Sequence, residues 1–591
     1  MMTDQRNLIL AIVISVGIIL GFQVFYEMPR VAKQQQLTES QETGQPGGGV
    51  VQPTAGATGV AGTAAGGAPA AGTTVGAAQG PAAGMATSRA DALARLPRQR
   101  INSLRLNGSI ALDGSRFDDL SLVDYRQTVD PNSPEIELLN PVGAPNTYFA
   151  EFGWVPDGAV TVPNAETAWE TSGGELTENT PVELRWDNGE GLLFQKQVAV
   201  DENFMFTLAR SVTNNSDQPV TLFPYGLLSR WGTPKTSGYY ILHEGPIGVL
   251  DGTLKEINYK DLHDEEPISL ASTGGWAGFT DKYWLTSLVP DQAEALQANF
   301  RHFVRDGQDR YQVDYLGTAR VVQPGETVTV TDRLFAGAKE VRLLDAYSET
   351  YGIPLFDRAV DFGWFYFLTK PFFYILTFFY HNVFGNYGLA ILALTLLVKA
   401  LFFPLANKSY RSMSQMKKLQ PEMVKLRERH ANDKQKMQQE LMALYKREKV
   451  NPMAGCLPIL LQIPVFFALY KVLFVSIEMR HAPFFGWIHD LSAPDPTTVF
   501  NLFGLLPFTP PHFLMIGIWP LIMGFTMWLQ FRLNPQPADP IQAKVMGLLP
   551  FIFVFLFATF PAGLVIYWTW NNLLSISQQW LIMKRMGVRP G

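Results

Sequence analysis

Residues 388–406, GLAILALTLLVKALFFPLA, decide the class of this protein. The run is uninterrupted by any charge except Lys399. A membrane-spanning helix needs about 20 mostly apolar residues, so the stretch reads as a span from about 386 to 406. Five more runs of the same character lie at 8–26, 453–475, 511–531, 545–560 and 564–583. Residues 8–26 carry no charge, and the following EMPRVAKQQQ offers no small-residue cleavage site. That argues for an uncleaved anchor within 1–35 rather than a signal peptide. Six spans make the chain a polytopic α-helical membrane protein. Its 591 residues leave room for a large extramembrane part as well.

Charge orients the spans. Residues 406–452 hold 12 Lys and Arg against 5 Asp and Glu, whereas 477–510 hold one Arg and three acids. Excess Lys and Arg marks the cytoplasmic side. Lys584, Arg585 and Arg589 in the tail, 584–591, agree with that side. Both termini are then cytoplasmic, and residues 27–360 are exported. The exported stretch counts 25 basic and 42 acidic residues, net −17. Long domains translocate whatever their charge, so this value does not bear on direction.

Between the spans the texture changes three times. Residues 36–88 are mostly Gly, Ala, Thr and Pro. They bury too little apolar surface to offset backbone entropy and read as a flexible linker. From 89 to 345 short alternating runs recur, among them INSLRLNGSIAL, PVELRWDNGEGLLFQKQVAV and TVTVTDRLFAG, separated by NG, DG and PGE turns. Alternation with such turns predicts a large antiparallel β-sandwich. Residues 346–383 become rich in Phe, Tyr and Trp, which favour a membrane–water interface, and predict an interfacial helix. In the cytoplasmic segment 408–450, Met413, Met416, Leu419, Met423 and Leu426, then Met437, Leu441 and Leu444, recur at helical spacing around the turn HAND. This predicts a basic helical hairpin. Its charge is equally that of any loop obeying the positive-inside rule.

Enzyme chemistry finds no support. There is no HExxH, GxSxG or Walker loop, the eight histidines are scattered, and the single cysteine, Cys456, excludes an intramolecular disulfide and a four-thiolate zinc site. No cofactor or metal is expected. The informative residues are polar groups within the spans, which are costly there. Lys399 follows Thr395 by four positions and shares its helical face. It lies about eight residues from the cytoplasmic end, or ~12 Å, and a lysine side chain reaches roughly 6 Å. Snorkelling to the inner leaflet is one reading; a wet cavity open to the cytoplasm is the other. Gln462, Thr526, Gln530, Tyr567, Asn571, Asn572 and Ser575 lie in the other spans. Each alone is an interhelical hydrogen bond; together with Lys399 they suggest a shared polar interior. No acidic residue lies at comparable depth to neutralise the lysine.

The stretches TLLVKALFFPL, MKKLQPEMVKLRER, ELMALYKREKVNPMAGCLPILLQIPVFFALY, FFGWIHDLSAPDP and FPAGLVIYWTWNNLLSISQQW together resemble the YidC/Oxa/Alb family of membrane insertases, over residues 384–583. The anchor, linker and exported β domain resemble its Gram-negative members. The resemblance implies a five-helix core around a hydrophilic groove, open to the cytoplasm and sealed outside. It implies residence in the bacterial inner membrane. It implies that Lys399, where many members have Arg, attracts the polar segment of an entering chain, with Thr395 and Tyr567 beside it. Ile463, Pro464 and Phe466 align with a hydrophobic slide for the substrate. Implied partners are nascent membrane proteins, the Sec translocon, the ribosome and its targeting machinery, and lipid; no DNA. The competing readings are a secondary transporter or channel for a small anion, for which no internal repeat is seen, and a membrane-anchored assembly factor working through its β domain.

Overall fold

The computed structural model describes residues 88–587, apart from gaps at 239–240, 265, 431–432, 449, 451–456, 505, 507–509, 511–514 and 535–539. The expected anchor, nearly all of the linker and Cys456 lie outside the described residues.

The chain enters through a short helix, α1 (Arg89–Leu93), whose N-terminus is capped by the Ser88 hydroxyl accepting from Asp91 N. It then builds two sheets. One has strands in the order 98–102, 106–111, 116–126, 148–156, 220–231, 308–317, 295–305 and 268–273, with 135–139 and 320–322 paired at its side. The other runs 253–256, 245–250, 276–280, 284–289, 327–338, 205–214, 192–200, 182–187 and 170–171. The strand ladders are antiparallel, as in the 295–305 and 308–317 hairpin and the 205–214 and 327–338 pair. Alternate residues face inward, so strand 192–200 buries Leu192, Phe194, Val198 and Val200. Phe117 of the first sheet packs on Phe206 of the second at 5.3 Å. A polar network crosses the same interface: the buried Arg210 pairs with Asp332, which also accepts from Tyr315 OH, and donates to Gly153 O and Tyr225 O. Such a buried group is tolerable only when its donors are met. A six-residue helix, α2 (Tyr259–Asp264), lies over the hairpin.

The helical part begins with α3 (Val341–Tyr351) and α4 (Tyr366–Phe379), which continues into a π-helical turn, Tyr380–Phe384. Gly385, at φ +62°, ends that turn, a conformation glycine adopts without strain. Trp364, Phe367 and Phe378 are exposed along this stretch. Asn386 then caps α5 (Tyr387–Leu401), accepting from Leu389 N. The remaining helices are α6 (Phe403–Arg429), α7 (Lys434–Arg447), α8 (Leu457–Val475), α9 (Ile518–Leu533), α10 (Pro540–Phe557) and α11 (Ala562–Arg585).

The helix breaks do not follow the apolar runs. The run read as one span over 386–406 breaks at Phe402, and its last residues open α6. Pro404 explains this: it has no N–H to give, and its ring collides with the carbonyl four residues back. In the run at 511–531, residues 515–517 are not helical and the helix begins at Ile518, where Thr497 Oγ1 accepts from Ile518 N and Asp495 Oδ2 from Trp519 N. Among the described residues no single helix is long and apolar enough to cross a membrane alone; the bent pair Tyr366–Phe384 and Tyr387–Leu401, meeting at 117°, is so only as a pair. At 1.5 Å per residue α5 is about 22 Å long, short of a hydrocarbon core of about 30 Å.

The two parts are tied by charges. Lys471, near the C-terminal end of α8, pairs with Asp361 Oδ1 at 2.9 Å and also donates to Asp361 O and Ile241 O. Within the helical part, Lys370 of α4 bridges Asp345 and Asp357 at 2.7 and 2.8 Å. Arg480 donates to Arg126 O and lies over the Trp284 ring.

Candidate functional site

Helices α5, α6, α8 and α11 converge on one crevice. Its lining is Thr395, Val398, Lys399, Phe402, Leu405, Ala406, Tyr410, Gln462, Val465, Tyr567 and Asn571. The spacing of α11 explains part of it. Tyr567, Asn571 and Ser575 stand four apart and form one polar stripe along the helix. Across from it, Thr395 and Lys399 share a face of α5 for the same reason. The break at Phe402 turns the chain so that Leu405, Ala406 and Tyr410 of α6 close the lower wall.

The lysine is held by neutral groups. Its Nζ donates to Ser575 Oγ at 2.7 Å, and that hydroxyl donates onward to Asn571 O at 2.8 Å. Thr395 spends its proton on Ile391 O and leaves an oxygen lone pair for the crevice. Tyr567 and Gln462 hydrogen-bond to each other. Among the described residues no carboxylate lies within ion-pair distance of Lys399. The enclosed space is about 50 Å³. A water needs roughly 10–15 Å³ on this measure, so the crevice admits a few waters and no peptide segment without opening.

The crevice therefore gathers Thr395, Lys399, Gln462, Tyr567 and Asn571, but not the other residues singled out in the sequence. Asn572 points away from it and donates to Thr526 Oγ1 at 3.2 Å, joining α11 to α9. Both are buried and form a second polar contact behind the first. Gln530 is half-buried and outside the crevice lining. Ile463, Pro464 and Phe466 differ in exposure. Ile463 is 45% exposed, whereas Phe466 turns inward onto Trp568, Tyr470 and Phe557. Tyr410 was missed by sequence reasoning because it belongs to the basic segment, and only the turn at Phe402 brings it back to α11. Its neighbours Met413 and Ile582 seal the base, and Lys418 Nζ donates to Met586 O.

Comparison with known proteins bears on the whole chain. Residues 378–589 match the family model for the 60Kd inner membrane protein, and residues 98–375 match that for the YidC periplasmic domain. A membrane protein insertase YidC from Methylobacterium sp. (strain 4-46) is 51% identical over 99% of this chain and 96% of its own length. The protein of the same name from Bradyrhizobium diazoefficiens is 50% identical over 100% and 97%. Among solved structures, an active YidC insertase with its first transmembrane domain resolved matches 82% of this chain and 94% of its own, at 18% identity and a TM-score of 0.32. A galactose mutarotase related enzyme from Lactobacillus acidophilus matches 41% of this chain and 97% of its own, at 9% identity and a TM-score of 0.29.

Proposed function

The chain belongs to the YidC family of membrane protein insertases, and from that premise we propose that it inserts proteins into the membrane through the crevice around Lys399. The observation that carries this reading is an ammonium group offered neutral oxygens and, among the described residues, no carboxylate. A structural lysine in a membrane protein would be paired. One kept without a counter-ion can be met transiently by an acidic or polar segment of an entering chain.

The mechanism has no chemical step. The basic hairpin α6–α7 receives the substrate on the cytoplasmic side, and α5, α8 and α11 part to let its polar tail reach Lys399, Thr395 and Asn571. Water and these groups lower the cost of carrying polar atoms part-way across. The apolar segment of the substrate leaves past Ile463 into lipid, with about 25 cal/mol gained per Å² of apolar surface removed from water. The membrane potential adds ~2.3 kcal/mol for each acidic charge per 100 mV. Phe466 acts as a fixed aromatic wall rather than a contact on the exit path, because its ring is packed against α10 and α11. In this reading six spans place both termini in the cytoplasm and the β-sandwich in the periplasm. The Sec translocon and ribosome belong to it as partners in delivery.

The test is reconstitution of the purified chain in liposomes with a single-span substrate and no nucleotide. The expected result is protease-protected substrate spanning the bilayer. Flux of a small anion without substrate insertion would instead make the crevice a permeation site.

A further inference from the structure

His263 lies 39 positions before His302, and Asp309 seven after it; none of the three lines the crevice, and nothing in the insertion mechanism uses them. The fold places one ligating atom of each within 4.8 Å of the other two, the one such group of three among the described residues. His302 and Asp309 come from the two strands of the hairpin 295–305 and 308–317, on the same face. Their side chains meet at 3.0 Å, Nε2 to Oδ1. His263 comes from the end of α2, and its Nε2 stands 4.0 Å from the same Asp309 oxygen. The two imidazoles overlap, with centroids 4.6 Å apart.

Two further features go beyond proximity. His263 Nδ1 sits 2.9 Å from Asp264 Oδ1, so a carboxylate takes the proton on that nitrogen and leaves the Nε2 lone pair aimed at the cluster. An outer carboxylate of this kind orients metal-bound histidines and raises their basicity. Asp309 is itself positioned: Thr233 Oγ1 lies 3.4 Å from its second oxygen and bonds Tyr311 OH at 2.9 Å. The Tyr311 ring closes one side, 4.9 Å from His302 and 4.7 Å from Tyr259 of α2.

We propose that His263, His302 and Asp309 bind a divalent transition-metal ion of the zinc type, which pins α2 to the hairpin. Two imidazoles and one carboxylate suit such an ion, with metal–ligand bonds of about 2.0–2.2 Å. Tetrahedral ligands at that radius stand roughly 3.3 Å apart, so the His302–Asp309 edge is already set. The edge from His263 to Asp309 closes by under about 1 Å, and that to His302, within 4.8 Å, by at most about 1.5 Å, which the half-exposed end of a six-residue helix can supply. The site was invisible in the sequence because 39 residues separate the two histidines and no ligand-spacing motif contains them.

The experiment uses the untagged full-length chain in detergent, stripped with chelator and titrated calorimetrically with zinc, and in parallel with cobalt(II) followed by visible absorption. One equivalent of zinc, a visible cobalt band and a melting temperature raised by zinc are expected. His263→Ala and Asp309→Asn are each expected to weaken binding at least about tenfold and to abolish the zinc-dependent rise in melting. His381→Ala, on an exposed histidine elsewhere, is expected to bind as the parent does. Equal zinc affinity in parent, His263→Ala and Asp309→Asn would overturn the proposal, as would no binding by the parent at micromolar zinc.

Discussion

Glu478 shows how a single buried side chain holds the start of the first helix after the sandwich. One carboxyl oxygen accepts from Val341 N, the first residue of α3, and the other is buried without a partner among the described residues. Burial pushes its carboxyl up to about 7, with the two helix-end hydrogen bonds opposing and the neighbouring Glu340 adding to the rise. The sign follows from proton binding. Between the ordinary carboxyl range and 7 the folded chain holds this proton and the unfolded chain does not, so stability falls as pH rises through that window. Glu478→Gln removes the dependence. The variant is expected to match the parent near pH 4.5 and to exceed it by about 3 kcal/mol at most at pH 8. Thermal melts of both at the two pH values check this, and a difference independent of pH would contradict it. Lys399 is the opposite case, because the sequence alone singles it out. Its depth, its helical face and the missing acid can all be read there. Its actual partner, Ser575, stood among the polar residues of the last span, but only the crossing of α5 and α11 selects it over Asn572.

Among the elements, α9 owes its start to a loop. Asp495 is 3% exposed and holds four groups: Trp519 N on one oxygen, and Thr497 N, Thr497 Oγ1 and Trp487 Nε1 on the other. Asp495→Ala is expected to destabilise the helical part by about 2 kcal/mol or more, because it removes a cap and leaves buried donors unmet. A lowered melting temperature with increased proteolysis between 485 and 520 reads this out. The helices α9 and α10 touch at Gly524, where an added Cβ would stand 2.2 Å from Val554 Cγ2. Small residues allow such approach between membrane helices. Gly524→Leu is expected to cost about 1–3 kcal/mol and to weaken disulfide trapping between cysteines introduced on the two helices. The existence of these helices was legible from apolar runs of the right length, and the β strands from alternation. The breaks at Phe402 and Ile518 were not, since one depends on a proline acting four residues back and the other on a cap supplied from more than twenty residues away. The different exposure of Ile463 and Phe466 is a packing outcome: three residues apart on α8, they are neighbours on one side of the helix, and the presence of Trp568 covers Phe466 while Ile463 stays exposed.

At the scale of the whole molecule, the β-sandwich meets the helical part through Lys471, which donates to Ile241 O, and Arg480, which donates to Arg126 O, and no described residue of the sandwich lines the crevice. Deleting 90–340 removes the Ile241 acceptor of Lys471 but keeps Asp361, its charge partner. The shortened chain is therefore expected to insert small single-span substrates at a rate within a few-fold of the parent, measured by protease protection in liposomes. Loss of insertion by a stably folded deletion would assign the sandwich a direct part. The central claim is narrower: the charge at residue 399 acts on the entering chain. It is tested most directly by comparing Lys399→Ala and Lys399→Arg with the parent in liposomes, using one substrate with an acidic tail and one with an uncharged tail. Lys399→Ala is expected to slow insertion at least about tenfold for the acidic tail, the equivalent of ~1.4 kcal/mol, and much less for the uncharged one, while Lys399→Arg stays near the parent for both. Equal rates for all three proteins with the acidic tail would show that the lysine does nothing that a methyl group cannot.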